Sequence, residues 1–573
     1  IAPLPAVAAK DISDKITSYT AFFELLNYIK FFYPGDEAKN TDWENFSLEG
    51  IRRIDNAQDG LTVDLITSLF APIAPRLKVN GTMLDASPLG EYQQKAFWEH
   101  KGYGFGFTFQ GRSTGYANTL QIVNKNSQAP FQPLTEWYQT KLANDISIEL
   151  PIILPANNGK SLPQVDGFEA SADLLKADRN YDDLYKRMAT IGLAWGVFQH
   201  FFPYMDQLDV DWQQQLPKYL KEVAQTTGTM NTGHLLEKMF APLEDGHLWV
   251  TFNEQEYNGM LPIGLYWVEN KVTIVRTWGD AEGILQPGNI ITHIQGQPVA
   301  ELLEQLGNRT SLGPTKRALK NVMSLSYGWY RTTAVLDIID NQGAAKQVSL
   351  DYDKFDRRGW HYAAVDFPST GLLEIEPGIF YFNIMHYEGE DIEEIVATLQ
   401  QAQGIILDFR GYPSNGLSFG LMAQKVCDYP LHSPPFEYYY WQAPDRNAPF
   451  VEDPGWSLPP KAPAFSAKVV AITGRNTQSA ADTTAALYQG CNNVTLLGEP
   501  TTGANGSITG FSLFGGWEED GMNVTFSGFK VLQNDYSQLH GIGVIPDVVV
   551  RPKRQSIIEQ KDDLLEAALN HFR

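Results

Sequence analysis

The sequence predicts a multidomain protein that ends in an α/β domain, with duplicated helical units, an inserted β domain and a second β domain before it. Three observations support this prediction. The chain has 573 residues, which is too many for one hydrophobic core. A helical pattern in residues 18–79 occurs again in residues 185–250. Residues 373–573 alternate buried-strand patterns with helix patterns, as α/β domains do.

The repeat predicts two helical units of similar length, at residues 1–82 and 166–254. Apolar residues recur at helical spacing in both copies. Three aromatic pairs align between them: Phe31 with Phe201, Trp43 with Trp212, and Phe70 with Phe240. We expect the Phe-Phe-Pro and Asp-Trp elements of each copy to serve packing and helix capping.

The two copies differ at their ends. The second copy ends in an Asp-Gly-His sequence, residues 245–247, whereas the first copy ends in Ala-Pro-Arg-Leu-Lys-Val. The shared packing therefore does not need His247, and a histidine after a tight turn is available for chemistry. The alternative is a surface turn with an incidental histidine.

Residues 83–165, between the copies, change to strand patterns separated by Gly, Pro and Asn, and predict an inserted β domain. GYGFGFTFQG alternates small and aromatic residues, and DISIELPIIL, residues 145–154, predicts another strand. Sheet packing is the expected use of these aromatic side chains, and ligand contact is the alternative.

Residues 255–352 predict a second β domain, which closes with a hairpin at residues 341–343. Its segment LQPGNIITHIQGQPV, residues 285–299, resembles PDZ domains, with Asn289 where that family has Asp. The resemblance implies binding of peptide C-termini by strand addition at a sheet edge. The peptide carboxylate would then lie near three backbone amides, those of Ile263, Gly264 and Leu265. Residues 306–331 would be an insertion.

The C-terminal α/β domain is predicted at residues 353–573. Buried strands are predicted at 378–384, 404–408, 469–473, 494–498 and 544–550, and helices at 391–403, 480–488 and 561–572. Ser479 stands where a turn meets the helix at 480–488. Free helix N–H groups at the positive end of the helix dipole suit a nucleophile whose attack creates an oxyanion. The alternative is that Ser479 or Thr477 is only a helix N-cap.

The net charge and the distribution of apolar residues indicate which partners and which cellular location the protein can have. The net charge of −23 disfavours nucleic acid and anionic membranes, which bind basic patches. The sequence contains no run of about 18 or more apolar residues, so no membrane span is predicted. The apolar, Ala- and Pro-rich start at Ile1 predicts a secreted or periplasmic protein whose signal peptide has been removed, although a cloning choice gives the same start.

Cysteine and histidine usage predicts no metal and no cofactor. The chain has two cysteines, Cys427 and Cys491, and no Cys/His cluster with metal-ligand spacing. Whether these two cysteines pair stays open from the sequence.

Six ordered motifs together resemble the C-terminal processing and tricorn-like serine peptidases, the tail-specific protease type. They are 243–247 (LEDGH), the PDZ-like segment 285–299, 406–411 (ILDFRG), 477–482 (TQSAAD), 498–503 (GEPTTG) and 541–547 (GIGVIPD). The resemblance implies a catalytic core of the crotonase and Clp-protease type with Ser479 as nucleophile. Because no lysine follows Ser479 in the helix, it implies His247 as general base, as in the tricorn-like branch.

The resemblance also implies the oxyanion donors, which would be the backbone amides of Ala480 and Ser414. At the second donor the chain departs from the family, because Ser414-Asn415 replaces the usual Gly-Gly and Pro413 has no N–H. The family's acidic orienting residue is also missing from residues 538–544.

Three residues are candidates for the orienting role: Asp245, Asp482 and His540. Asp408 and Arg410, in contrast, are expected to be structural partners at a strand end.

These inferences lead to two main hypotheses. The first is a serine endopeptidase that acts on peptides or proteins, with the PDZ-like domain recognising their C-termini. The alternative is a catalytically weak or inactive protein that binds peptides or hydrophobic ligands on the same scaffold; the Ser414-Asn415 departure favours it. A crotonase-type acyl-CoA enzyme would explain the core alone. The sequence does not predict the oligomeric state.

Overall fold

The structure is a computed structural model of the 573-residue chain. The residues that it describes are 12–103, 117–128, 133–165, 168, 181–252, 259–354, 364–365, 371–387, 391–412, 416–446, 450–516 and 521–573.

The duplicated helical units pack against each other in one hydrophobic core. Their helices are α1 (Ile16–Phe32), α2 (Asp36–Asn40), α3 (Trp43–Asn56), α4 (Val63–Phe70), α5 (Leu184–Phe201), α6 (Trp212–Val223) and α7 (Thr229–Phe240). The aligned helices α1 and α5 are in contact, and a Cβ at Gly192 would lie 2.2 Å from the ring of Phe23. The predicted capping role of the Asp-Trp elements is confirmed, because Asp42 and Asp211 cap α3 and α6.

The β insertion forms two four-stranded sheets, of order β2-β1-β6-β5 and β4-β3-β7-β8. Their strands are β1 (Lys78–Val79), β2 (Thr82–Met83), β3 (Gln94–Gly102), β4 (Ala117–Asn124), β5 (Trp137–Lys141), β6 (Ser147–Pro151), β7 (Ile153–Asn157) and β8 (Lys160–Ser161). The single strand predicted at 145–154 is wrong, because the chain passes from one sheet to the other at Ile152. Most of GYGFGFTFQG lies outside the described residues.

The second β domain, called the PDZ-like unit below after the sequence resemblance of residues 285–299, contains a sheet of order β11-β12-β13-β16-β17, with β14 paired to β13. The strands of this unit are β10 (Gly259–Met260), β11 (Ile263–Val268), β12 (Lys271–Thr277), β13 (Ile290–Ile294), β14 (Gln297–Pro298), β15 (Tyr327–Gly328), β16 (Thr333–Ile339), β17 (Ala345–Asp351) and β18 (Asp353–Lys354). The hairpin predicted at 341–343 joins β16 to β17. Two helices, α8 (Val299–Gly307) and α9 (Pro314–Ser324), lie between β14 and β15.

The C-terminal domain is built on a six-stranded sheet of order β19-β20-β21-β26-β27-β31. Its strands are β19 (Leu372–Glu376), β20 (Ile379–Phe382), β21 (Gly404–Asp408), β26 (Lys468–Thr473), β27 (Val494–Gly498) and β31 (Val548–Val549). The pairs from β20 to β31 are parallel, and β19 is antiparallel to β20.

The domain's helices are α10 (Ile392–Leu399), α11 (Gly416–Val426), α12 (Ala480–Gln489), α13 (Arg554–Ile558) and α14 (Asp563–Asn570), and its smaller strands are β22 (Leu431–His432), β23 (Phe436–Tyr439), β24 (Phe450–Asp453), β25 (Ser457–Leu458) and β30 (Lys530–Val531). The predicted bounds of β21 and β27 are confirmed. Helix α10 and strand β31 are shorter than predicted.

One sheet joins the Asp-Gly-His turn to the C-terminal domain. Strand β9 (Trp249–Phe252) follows this turn and pairs with β29 (Met522–Ser527), which also pairs with β28 (Ile508–Leu513). The pairing places the end of the second helical unit against the domain that carries Ser479.

Cys427 and Cys491 form a disulfide, so the question that the sequence left open is answered. Within the described ranges, no helix has the length and apolar character needed to cross a membrane.

Candidate active site

Ser479 lies at a sharp turn between strand β26 and helix α12. Its backbone has φ 60° and ψ −120°, a conformation that is uncommon for a residue with a side chain. Such backbone costs about 1–3 kcal/mol and persists only where its surroundings hold it. A strained strand-to-helix turn of this kind presents the nucleophilic serine in α/β-hydrolases. Ser479 is half-buried, so its side chain is accessible.

Two acceptors hold this turn. The N–H of Ser479 donates to the carbonyl of Ala504 at 3.0 Å and to Oδ2 of Asp482 at 2.8 Å. Asp482 is buried, and it also accepts from the hydroxyl of Thr501 and from the N–H of Gly503. Burial raises the pKa of Asp482 to about 6. Asp482 therefore supports the Ser479 turn, and it has no hydrogen bond to His247 among the described residues.

The oxyanion donors predicted from the sequence are only partly described. Ala480 is the first residue of α12, so its N–H lies at the open, positive end of that helix. Ser414 and its neighbours Pro413 and Asn415 lie outside the described residues.

His247 is held by a buried hydrogen-bonded cluster. Its Nδ1 lies 2.9 Å from Oγ of Ser527, and that hydroxyl donates to Oδ1 of Asp245 at 2.8 Å. The N–H groups of His247 and Ser527 also donate to Asp245, at 2.9 and 2.6 Å. All three side chains are at most 1% exposed. Asp245 is thus connected to the imidazole ring of His247 through Ser527.

The hydrogen bonds of this cluster define the tautomer of His247. A carboxylate only accepts hydrogen bonds, so the single hydroxyl proton of Ser527 points to Asp245. Oγ of Ser527 can then only accept, and Nδ1 of His247 must carry the proton. Nε2 is left as an unprotonated nitrogen, and it has no hydrogen-bond partner in the part of the chain that the structure describes. Burial lowers the pKa of His247, which favours the neutral form of the ring.

The loops that carry Ser479 and His247 are in contact. Nε2 of Gln478 donates to the carbonyl of Gly246 at 3.3 Å. A Cβ at Gly246 would lie 2.6 Å from Cβ of Ala504, so a glycine is needed at this close approach. Within the described residues, no hydrogen bond joins the two side chains directly.

His540 lies near the cluster but contacts other groups. Its Nε2 donates to the carbonyl of Leu243 at 2.8 Å, and its ring stacks on Tyr204 with 4.0 Å between centroids. Burial lowers the pKa of His540. No hydrogen bond between His540 and His247 occurs in the described ranges, so His540 supports the turn from its Leu243 side.

The three predicted peptide-binding residues lie at the start of β11, the outermost strand of its sheet. Ile263, Gly264 and Leu265 are all buried, and helix α9 packs along this strand. The N–H of Ile263 donates to the carbonyl of Leu261 at 2.7 Å.

Asp408 and Arg410 form a buried pair, with Nη2 of Arg410 2.6 Å from Oδ2 of Asp408.

Ser527 is the residue of this site that sequence reasoning missed. It is the last residue of an alternating strand, and that pattern alone gives no functional signal. Among the described residues, no group of three or more His, Cys, Asp or Glu side chains could hold a metal ion.

A strained serine turn, in contact with the loop that carries a buried histidine, is the arrangement expected at a hydrolase site. Residues 378–550 match the model of peptidase family S41. This part of the chain therefore belongs to that family, and the recognition of a tail-specific type of protease from the motifs is confirmed.

Solved structures agree on the fold. Mature CPAF complexed with lactacystin is 12% identical with a TM-score of 0.56, and the match covers 67% of this chain and 97% of that chain. Mature CPAF alone is 13% identical with a TM-score of 0.54, and the match covers 67% and 96%. No curated protein matches the sequence with significant similarity.

Proposed function

We propose that the protein is a serine endopeptidase in which Ser479 is the nucleophile and His247 the general base. The observation that carries this proposal is the cluster of Asp245, Ser527 and His247. It leaves an unprotonated Nε2 in the loop that contacts the strained Ser479 turn. Membership of the matched domain in a peptidase family supports the same conclusion.

In the proposed reaction, Nε2 of His247 takes the proton from Ser479 as Oγ attacks the peptide carbonyl. The carbonyl oxygen becomes an oxyanion, which the N–H of Ala480 stabilises at the helix N-terminus. His247 then gives its proton to the leaving amine, and an acyl-enzyme remains. Water attacks the acyl-enzyme with His247 again as base, and Ser479 is released.

Asp245 acts on the imidazolium that forms during this reaction. Its negative charge reaches Nδ1 of His247 through the Ser527 hydroxyl, which accepts from the ring and donates to the carboxylate. The cluster thus fixes both the tautomer and the orientation of the base, which are two of the functions of the acid in a serine-protease triad. The orienting group is then a Ser–Asp pair and not the acidic residue that the family places downstream.

The alternative, a binding protein without catalysis, is favoured by the lack of a direct hydrogen bond between Ser479 and His247. Hydrogen bonds of catalytic groups are often long in free enzymes and shorten when substrate binds. We therefore keep the peptidase as the proposed function.

Recognition of peptide C-termini by the PDZ-like unit is a finer part of the proposal. The outermost position of β11 supports it, since an edge strand can add a peptide strand. Helix α9 packs along β11, so a peptide end would reach the amides of Ile263, Gly264 and Leu265 only after α9 moves. The disulfide between Cys427 and Cys491 supports a secreted or periplasmic location, because disulfides persist in oxidising compartments.

Hydrolysis of an unfolded protein tests the proposal. Native protein and Ser479→Ala would be incubated with casein, and new peptide ends would be counted by mass spectrometry. We expect fragments with the native protein and none with Ser479→Ala. Fragments from both proteins would show that another group, or a contaminant, does the cleavage.

A further inference from the structure

We propose that Lys316 is a positioning residue for the nucleophile turn, and that its ammonium group keeps the Asp482 carboxylate ionised under the Ser479 backbone. The inference rests on the proposed function of Ser479. Lys316 belongs to the segment 306–331, which the sequence identified as an insertion in the PDZ-like unit and to which no function has yet been assigned.

Lys316 reaches out of its own unit into the C-terminal domain. It lies in the first turn of α9, is 3% exposed, and its Nζ donates to the carbonyl of Pro500. Neighbouring residues of the same segment are also in contact with the site. Oγ of Ser311 accepts from the N–H of Asp245 at 2.9 Å, and a Cβ at Gly313 would lie 2.0 Å from the carbonyl oxygen of Gly541.

A short series of contacts connects Lys316 to Ser479. Pro500 precedes Thr501, whose hydroxyl donates to Asp482. Asp482 accepts in turn from the N–H of Ser479, which holds that residue at its positive φ. The clamp on Pro500 thus fixes the loop that supplies a donor to Asp482.

Electrostatics gives Lys316 its specific role. The hydrogen bonds that Asp482 accepts come from three neutral donors, namely Ser479, Thr501 and Gly503. Lys316 is the cation that lowers the pKa of Asp482 against the effect of burial. The same burial lowers the pKa of Lys316 to about 7, and Asp482 opposes that shift.

The other charged groups around Lys316 have different partners or signs. Glu499 attracts it, but this carboxylate is already paired with Nε of Arg475 at 2.5 Å. Arg475 and Arg551 repel it. Of these two carboxylates, Glu499 already has a basic partner, whereas Lys316 is the cation that lowers the pKa of Asp482.

Protonation of Asp482 would break the turn. Three donors already converge on its two oxygens, and a carboxyl proton would add a fourth hydrogen without an acceptor. A neutral acceptor also binds the Ser479 N–H less strongly than a carboxylate does. Loss of the Lys316 charge raises the pKa of Asp482, so the turn should lose its support at a higher pH.

The test is the pH dependence of Ser479 labelling by a fluorophosphonate in three full-length proteins: native, Lys316→Met and Lys316→Arg. For the native protein we expect the rate to fall as the pH drops through about 6, where Asp482 protonates. For Lys316→Met this acid limb should move up by about one pH unit, which corresponds to a loss of roughly fivefold at pH 6. Lys316→Arg keeps the charge and should keep the native limb. The control is Lys346→Met, which removes an exposed lysine paired with Asp340 in the same unit.

Three results for Lys316→Met would contradict the proposed role of Lys316. An unmoved acid limb in Lys316→Met overturns the proposal, and so does an equal loss of rate at every pH, which indicates a structural role. A Lys316→Met protein that does not fold also overturns it, because a residue that only tunes Asp482 is dispensable for folding. If the folded native protein is not labelled by the fluorophosphonate at any pH, the proposed function itself is refuted.

Discussion

Replacing Ser527 by alanine should disable His247 without touching the nucleophile. The variant removes the hydroxyl that joins Nδ1 of His247 to Asp245. The protonated Nδ1 is then buried without an acceptor, while the backbone N–H of Ser527 still holds the Asp245 carboxylate. Nothing then fixes the ring in the tautomer that leaves Nε2 unprotonated.

The magnitude follows from the lost hydrogen bond. A buried polar group left without its partner costs about 1–3 kcal/mol. At about 1.4 kcal/mol per factor of ten, this corresponds to a rate loss of roughly 5- to 150-fold. Loss of the correct tautomer in a serine-protease triad costs about 10⁴-fold, which sets the upper limit. We therefore expect Ser527→Ala to react at least fivefold more slowly than the native protein.

The assay is the second-order rate of fluorophosphonate labelling at pH 7.5, with circular dichroism as a check of folding. Ser527→Thr keeps the hydroxyl and should keep most of the rate. Ser512→Ala is the matched control, because it removes an exposed serine hydroxyl in the neighbouring strand β28. A folded Ser527→Ala protein that labels at the native rate would refute the relay from Asp245 to His247.

Three further predictions concern the site and the core. Asp245→Asn should lower the labelling rate by about 10²-fold or more. An amide N–H group at this position would donate to the Ser527 hydroxyl, whose proton would then point to Nδ1 of His247 and favour the wrong tautomer. Gly313→Ala should lower the melting temperature and the labelling rate together, because its Cβ would meet the Gly541 carbonyl oxygen at 2.0 Å. His200 has a pKa lowered to about 3 by burial, so the unfolded chain binds its proton first and acid favours unfolding. Between pH 7 and pH 5, urea unfolding of His200→Phe should therefore lose about 2 kcal/mol less stability than the native protein; equal losses would contradict this.

Local patterns were sufficient to predict much of the C-terminal domain. Strands β21 and β27 have the predicted bounds because each is a short apolar run that ends at polar or glycine residues. Helix α12 begins at the predicted residue because the turn before it is marked by glycine and asparagine. The caps of α3 and α6 follow from Asp at the residue before each helix.

Long-range pairing was not predictable in the same way. The role of Ser527 depends on the pairing of β29 with β9, whose residues are far apart in the sequence. The contact of Lys316 with Pro500 likewise depends on how the PDZ-like unit docks on the C-terminal domain. The predicted strand at 145–154 failed because periodicity alone does not show where a chain passes from one sheet to another.

Locating the covalent adduct of a fluorophosphonate tests the central claim most directly. Native protein, Ser479→Ala and His247→Ala would each be labelled, digested and mapped by mass spectrometry. We predict one adduct, on the peptide that contains Ser479, in the native protein and none in the two variants. A folded native protein without an adduct, or an adduct that persists in Ser479→Ala, would contradict Ser479 as a nucleophile activated by His247.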